Sequence, residues 1–160
     1  MLKVNSLTGF GGKKSAGVVI TTGVFGGGWG TGYSNTIDYI TIATTGNATD
    51  FGNLTWPPRS ELAACADATR GVFGGGYGTG YSNVLDYITI STTGNATDFG
   101  DLTVAGIGLA ACADATRGVF GGRSESPKDT IDYITIASTG NAIDFGDLTV
   151  GRSGLAACAD

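Results

Sequence analysis

Apolar residues in this chain fall in short runs separated by Gly, Ser, Thr, Asn and Asp, and the runs recur almost word for word. GVFGG begins at Gly23, Gly71 and Gly118, DYITI at Asp38, Asp86 and Asp132, DFG at Asp50, Asp98 and Asp144, and LAACAD at Leu62, Leu109 and Leu155. The spacings of GVFGG are 48 and 47 residues, longer than short solenoid repeats and within the range of propeller blades. Each repeat predicts four short strands. LAACAD is strand a, and Asp67 to Arg70 or Asp114 to Arg117 is the turn after it. RGVFGG is strand b. TIDYITIA, rich in β-branched and aromatic residues, is strand c. TTGN or STGN is a tight turn, and ATDFGDLT is strand d. Helical periodicity is absent, and Gly is too frequent for long helices. Four strands per repeat is one propeller blade.

Composition supports this pattern and narrows the function. Gly contributes 29 of 160 residues, only 14% are charged and 41% are hydrophobic, which describes a β-rich chain with enough apolar surface to fold. No stretch approaches the ~20 apolar residues of a membrane helix. A net charge of −5 argues against a nucleic-acid partner, which needs a basic stripe. The absence of His removes Ser-His-Asp and Cys-His catalysis and every His-ligated metal site, and no cofactor is expected. MLKVNSLTGFGGKKSAG has no continuous apolar segment and does not read as a secretory signal. Cys65, Cys112 and Cys158 occupy the same place in each LAACAD, so they read as small buried apolar residues made in a reducing cytosol, not as a disulfide framework.

The double glycine ending strand b, the aromatic-bearing strand c and the closing hydrophobic strand d resemble kelch repeats over residues 16–160. The chain departs from that pattern in lacking the Trp of strand d, where Phe51, Phe99 and Phe145 take over the packing, and in its short a–b turn. The wording GVFGGG…DYITI…TGNATDFGDLT…LAACAD is similar to kelch-type repeats in structural proteins of tailed phages, especially those of marine cyanobacteria. The resemblance implies an all-β, kelch-like β-propeller and a virion or tail-fibre setting, with synthesis in the host cytoplasm. Many kelch domains are instead intracellular protein-interaction scaffolds, which keeps a cytoplasmic alternative open. Copper oxidases of kelch-like fold need His ligands, and this chain has none.

The expected organisation is an N-terminal arm (1–15) and about three blades: blade 1 (16–60), blade 2 (61–107) and blade 3 (108–153). The strand order is bcd–abcd–abcd–a, with Gly17 to Ile20 as the first apolar run. Propellers typically have 4–8 blades. Two chains would form a six-bladed ring, the strand at 154–160 of each completing blade 1 of the other as a homodimer. A fragment of a longer protein is the other reading.

The repeats differ in two places. After strand b they read GWGTGYSN, GYGTGYSN and RSESPKD, and after strand d TWPPRSE, TVAGIG and TVGRSG. In a four-stranded blade these b–c and d–a loops open on one face, where binding is commonly grafted onto a rigid scaffold. That rim offers Trp29, Tyr33, Trp56, Arg59, Tyr77, Tyr81, Arg123, Glu125, Lys128 and Arg152. Aromatics beside Gly and Ser suit a surface glycan or another virion protein, by stacking and by hydrogen bonding at polar tips. The plainer reading is that Tyr in a Gly-rich loop folds back to cover its blade.

Other motifs carry less. GGGWG and GGGYG lack the helix and the Lys-Ser/Thr of a phosphate loop. Asn95, Asp98 and Asp101 lack the ligand density of a Ca²⁺ loop. Asp38, Asp86 and Asp132 interrupt apolar strands, a placement that calls for pairing. Arg70 and Arg117 are their expected partners, with Thr22 leaving blade 1 without one unless an Arg or Lys comes from elsewhere. Such repeated pairs read as structural, because catalytic carboxylates need environments that split their pKa values. Asn47 and Asn95 match the glycosylation pattern but read as c–d turns, and Asn53 as strand.

Overall fold

The computed structural model describes residues 21–55 and 57–159, so the arm 1–15, the Gly17 to Ile20 run, Trp56 and Asp160 lie outside the described residues. Three antiparallel sheets follow one another along the chain, and there is no helix among the described residues. The first holds β1 (Thr22–Gly26), β2 (Thr36–Thr41) and β3 (Thr49–Asn53). The second holds β4 (Ala63–Ala66), β5 (Arg70–Gly74), β6 (Val84–Thr89) and β7 (Thr97–Asp101). The third holds β8 (Ala110–Ala113), β9 (Arg117–Gly121), β10 (Thr130–Thr135) and β11 (Ile143–Asp147). The second and third are a–b–c–d meanders and the first is b–c–d, so the expected all-β class and its strands are present. The last LAACAD differs: Leu155 to Ala159 form no strand, and all but the partly buried Leu155 are exposed.

Every c–d pair carries the same irregularity. Ile37 pairs with Gly52 but Asp38 pairs with Asp50, leaving Phe51 as the extra residue of a bulge. Phe99 and Phe145 are bulged in the same way. Gly52 (φ 147°) and Gly100 (φ 140°) follow the bulge with backbone that favours glycine. A bulge re-aims its side chain, and here it turns the aromatic towards the next blade. Phe51 joins Ile37, Leu54, Phe73 and Ile88 in one buried cluster, and Phe99 joins Leu85, Phe120, Ile134 and Ile136 in another. The reading of these Phe residues as packing groups holds for Phe51 and Phe99. It fails for Phe145, which is 55% exposed because no described blade follows it.

The blades are joined by repeated hydrogen bonds. The c–d turn of each later blade donates to strand d of the one before: Gly94 N to Phe51 O and Gly140 N to Phe99 O, both 2.7 Å. Asn95 Oδ1 accepts from Asn53 N (3.0 Å) and Asn141 Oδ1 from Asp101 N (3.1 Å), which gives the Asn of the turn a structural task. Phe73 packs on Gly26 and Phe120 on Gly74, at a distance that a Cβ would close to 2.9 Å in both cases.

The buried carboxylates are paired, but not as expected. Asp86 binds Arg59 (Nη2 to Oδ2, 2.5 Å) and Asp132 binds Arg123 (3.1 Å). Thr55 and Thr103 donate their hydroxyls to the same carboxylates at 2.5 and 2.6 Å. Arg70 and Arg117 instead lie over the rings of Tyr87 and Tyr133, at 4.6 and 4.8 Å from the centroids. Their side chains stay beside the ring of their own strand pair, while the loop arginines enter from the rim and desolvate fully.

Candidate functional site

The two variable loop sets do share one rim, because they hydrogen-bond to each other. Gly28 N donates to Arg59 O (2.9 Å) and Arg59 N to Ser34 O (3.1 Å). Ser60 and Tyr77 exchange two backbone bonds, at 2.9 and 2.8 Å, across blades 1 and 2, and Ser124 N donates to Ile107 O (3.0 Å) across blades 2 and 3. Gly-rich b–c loops turn back on themselves, so that Trp29 faces Tyr33 and Tyr77 faces Tyr81 as isolated antiparallel bridges.

These bridges line up four aromatic rings. Trp29 and Tyr33 meet edge to face at 4.6 Å and Tyr77 and Tyr81 at 5.3 Å, while Tyr33 and Tyr77 are tilted at 5.9 Å. The ladder crosses from blade 1 to blade 2 and stays open to solvent: Trp29 is 66% exposed and Tyr81 49%. It ends at blade 3, whose RSESPKD loop has no aromatic residue. A shallow groove of about 510 Å³ beside the ladder is lined by Gly28, Trp29, Tyr33, Ser60 and Glu61.

Glu61 stands in left-handed backbone (φ 57°), the only non-glycine residue with positive φ among the described residues. The equivalent positions are Gly108 (φ 68°) and Gly154 (φ 69°). A side chain is therefore kept at a place where the other repeats dispense with one, and it puts a carboxylate at the groove. Ser60 and Glu61 were not among the expected site residues. The signal was present, since only TWPPRSE places Glu where the other d–a loops place Gly.

The other expected residues divide. Arg59 and Arg123 have no exposed surface and are committed to Asp86 and Asp132, so the expectation of two rim cations is corrected. Lys128 and Arg152 are exposed on the blade-3 side, Arg152 donating only to its own neighbour Val150 O (3.0 Å). Trp56 lies outside the described residues. The Glu125 carboxylate, which accepts from the Ser124 hydroxyl (3.0 Å), raises the Tyr81 pKa above its ordinary value.

The arrangement offers stacking faces, phenol and hydroxyl donors and one carboxylate acceptor. Among the described residues no three His, Cys, Asp or Glu side chains gather into a possible metal site. The two buried Asp residues are held by Arg and Thr. No protein-family model matches the chain, and no curated protein matches it.

Proposed function

We propose that the chain is a non-enzymatic recognition module that takes a surface glycan along the Trp29–Tyr33–Tyr77–Tyr81 ladder, in a virion-type structural protein. The observation that carries this reading is Glu61, held in left-handed backbone beside Trp29 and Tyr33 where both other repeats have Gly. Sugar rings present apolar C–H faces that stack on aromatic rings, and hydroxyls that donate to a carboxylate. A ladder on two blades with a groove beside it accommodates an extended chain better than a single compact ligand. The virion setting rests on the kelch-type resemblance alone.

Glycan-array binding of the full chain tests the proposal. We expect a defined set of glycans to bind, with roughly tenfold or greater loss for Trp29→Ala and for Tyr33→Ala, since hot-spot aromatics carry about 2 kcal/mol or more. Silence on the array, together with a protein that co-purifies and is lost in the same variants, would favour the intracellular kelch-type scaffold instead.

A further inference from the structure

The two ends of the blade stack are complementary to each other. We infer that a second copy of this chain docks head to tail, with Arg152 of one copy reaching Asp38 of the other. This inference does not rest on the glycan reading, though Gly28 lines that groove as well.

The inner junctions set the rule. At each, one buried Asp of strand c receives one Arg and one Thr, and the Arg comes from either of two loop positions. At the first junction Arg59 of the d–a loop is used, and the b–c position opposite is Gly76. At the second, Arg123 of the b–c loop is used, and the d–a position opposite is Gly106. Only one arginine fits, since a Cβ at Gly106 would lie 3.0 Å from Arg123 Cβ and one at Gly76 3.4 Å from Arg59 Cδ.

The outer faces carry the two halves of the first arrangement. Counting back from LAACAD, Arg152 holds the position of Arg59, and counting on from DFG, Thr149 holds that of Thr55. At the other end Asp38 holds the position of Asp86, and Gly28 that of Gly76. Gly28 has open space around it, and Arg152 is exposed. A cation with its Thr at one end thus matches an anion with its Gly at the other.

Packing tells the same story. Phe73 and Phe120 are 4% and 0% exposed because each lies on a glycine of the preceding blade, whereas Phe25 is 60% exposed. Its missing seat is Gly121 of blade 3, which meets only its own neighbour Ile131. The blade-3 Phe145, exposed for want of a following c–d turn, would be covered by the turn at Gly46 as Phe51 is by that at Gly94. Leu155 to Ala159 would then pair with β1 in the register of β4 on β5, bringing Cys158 opposite Val24 as Cys65 is opposite Val72. Such a heterologous contact closes or polymerises. Three blades per copy closing as two copies make six, inside the usual range of 4–8 blades.

Light scattering after size exclusion, on the full chain, provides the test. The wild type should run at twice its 16.0 kDa. Arg152→Asp and Asp38→Arg should each be monomeric alone, because each sets like charges together at both junctions. An equimolar mixture should return to the dimer mass, since its two junctions are one native and one reversed pair. A wild-type monomer, an Arg152→Asp chain that stays dimeric, or folded variants that stay monomeric when mixed would each overturn the inference. Should Asp38→Arg not fold, Val24→Cys replaces it: a bismaleimide should link the introduced thiol of one copy to Cys158 of the other and give a dimer band that Cys158→Ser abolishes. Absence of that band would overturn the inference equally.

Discussion

Arg59 and Arg123 start from different loops and end on equivalent carboxylates, each with no exposed surface. The polar core of each junction is therefore specified by charge and space, not by a fixed residue position. In both, one guanidinium nitrogen is left without a partner, Nη1 of Arg59 and Nε of Arg123, so the pairs are tightly enclosed but not fully saturated. Buried pairs of this kind add little net stability, because desolvation offsets much of the attraction.

Arg59→Met should destabilise the chain by about 3–5 kcal/mol, because it leaves Asp86 buried and uncompensated. The double variant Arg59→Met, Asp86→Asn should recover more than half of that loss. Urea denaturation of the three proteins measures both values. Equal stabilities for the single and double variants would mean that the carboxylate is not ionised in its pocket.

The strands were legible because each β-branched or aromatic run is closed on both sides by turn residues, and β1 to β11 fall within the expected runs. Partner choice was not legible. Asp86 and Arg70 sit on adjacent strands of one blade, and nothing in their spacing says that Arg70 turns over Tyr87 while Arg59 arrives from the rim. The last LAACAD shows the converse. Its wording is the same as that around β4, but a strand exists only when a neighbour supplies hydrogen bonds, and Leu155 to Ala159 have no strand partner among the described residues. At the rim, the aromatic residues were legible as a set. Their order as a ladder was not, since it depends on the Ser60–Tyr77 bridge between blades.

Glu61→Gly should raise stability and weaken recognition together. Relief of left-handed backbone at a non-glycine residue amounts to about 1 kcal/mol, or roughly 2–4 °C in Tm for a chain of this size. The same change removes the carboxylate from the groove and should lower glycan affinity. A thermal melt that moves down instead would show that the Glu61 side chain contributes more to the fold than its backbone costs.

Gly74→Ala should be among the most damaging single-methyl additions. Its Cβ would lie 2.9 Å from the Phe120 ring and 2.6 Å from Leu85 Cδ2, both fully buried. Overpacking of this type costs about 1–3 kcal/mol. Gly30→Ala, with open space around it, serves as the control and should change the denaturation midpoint little. Similar losses in both would point to backbone conformation as the cause instead of the aromatic seat.

Acid should weaken the a–b turns. Burial works to raise Asp67, but the N–H groups of Arg70 and Thr69 and the Thr69 hydroxyl outweigh it and hold its pKa below the ordinary 3.8. Asp114 is lowered by the equivalent groups of Arg117 and Thr116. A carboxyl depressed by folding contributes stability that is present above its unfolded pKa and is lost as pH falls through the folded one. The wild type should therefore exceed an Asp67→Asn, Asp114→Asn variant in Tm at pH 7, and the gap should hold down to about pH 4 and close below it.

Cys65 should be chemically silent in the native protein. Burial, with smaller contributions from Cys112 and Asp67, pushes its thiol up to about 12, so almost no thiolate exists at pH 8. Iodoacetamide at that pH should leave Cys65 unmodified by peptide mass mapping until urea unfolds the chain. Early modification of Cys65 would mean that β4 opens locally without global unfolding, and that the strand nearest β8 is the weak member of its blade.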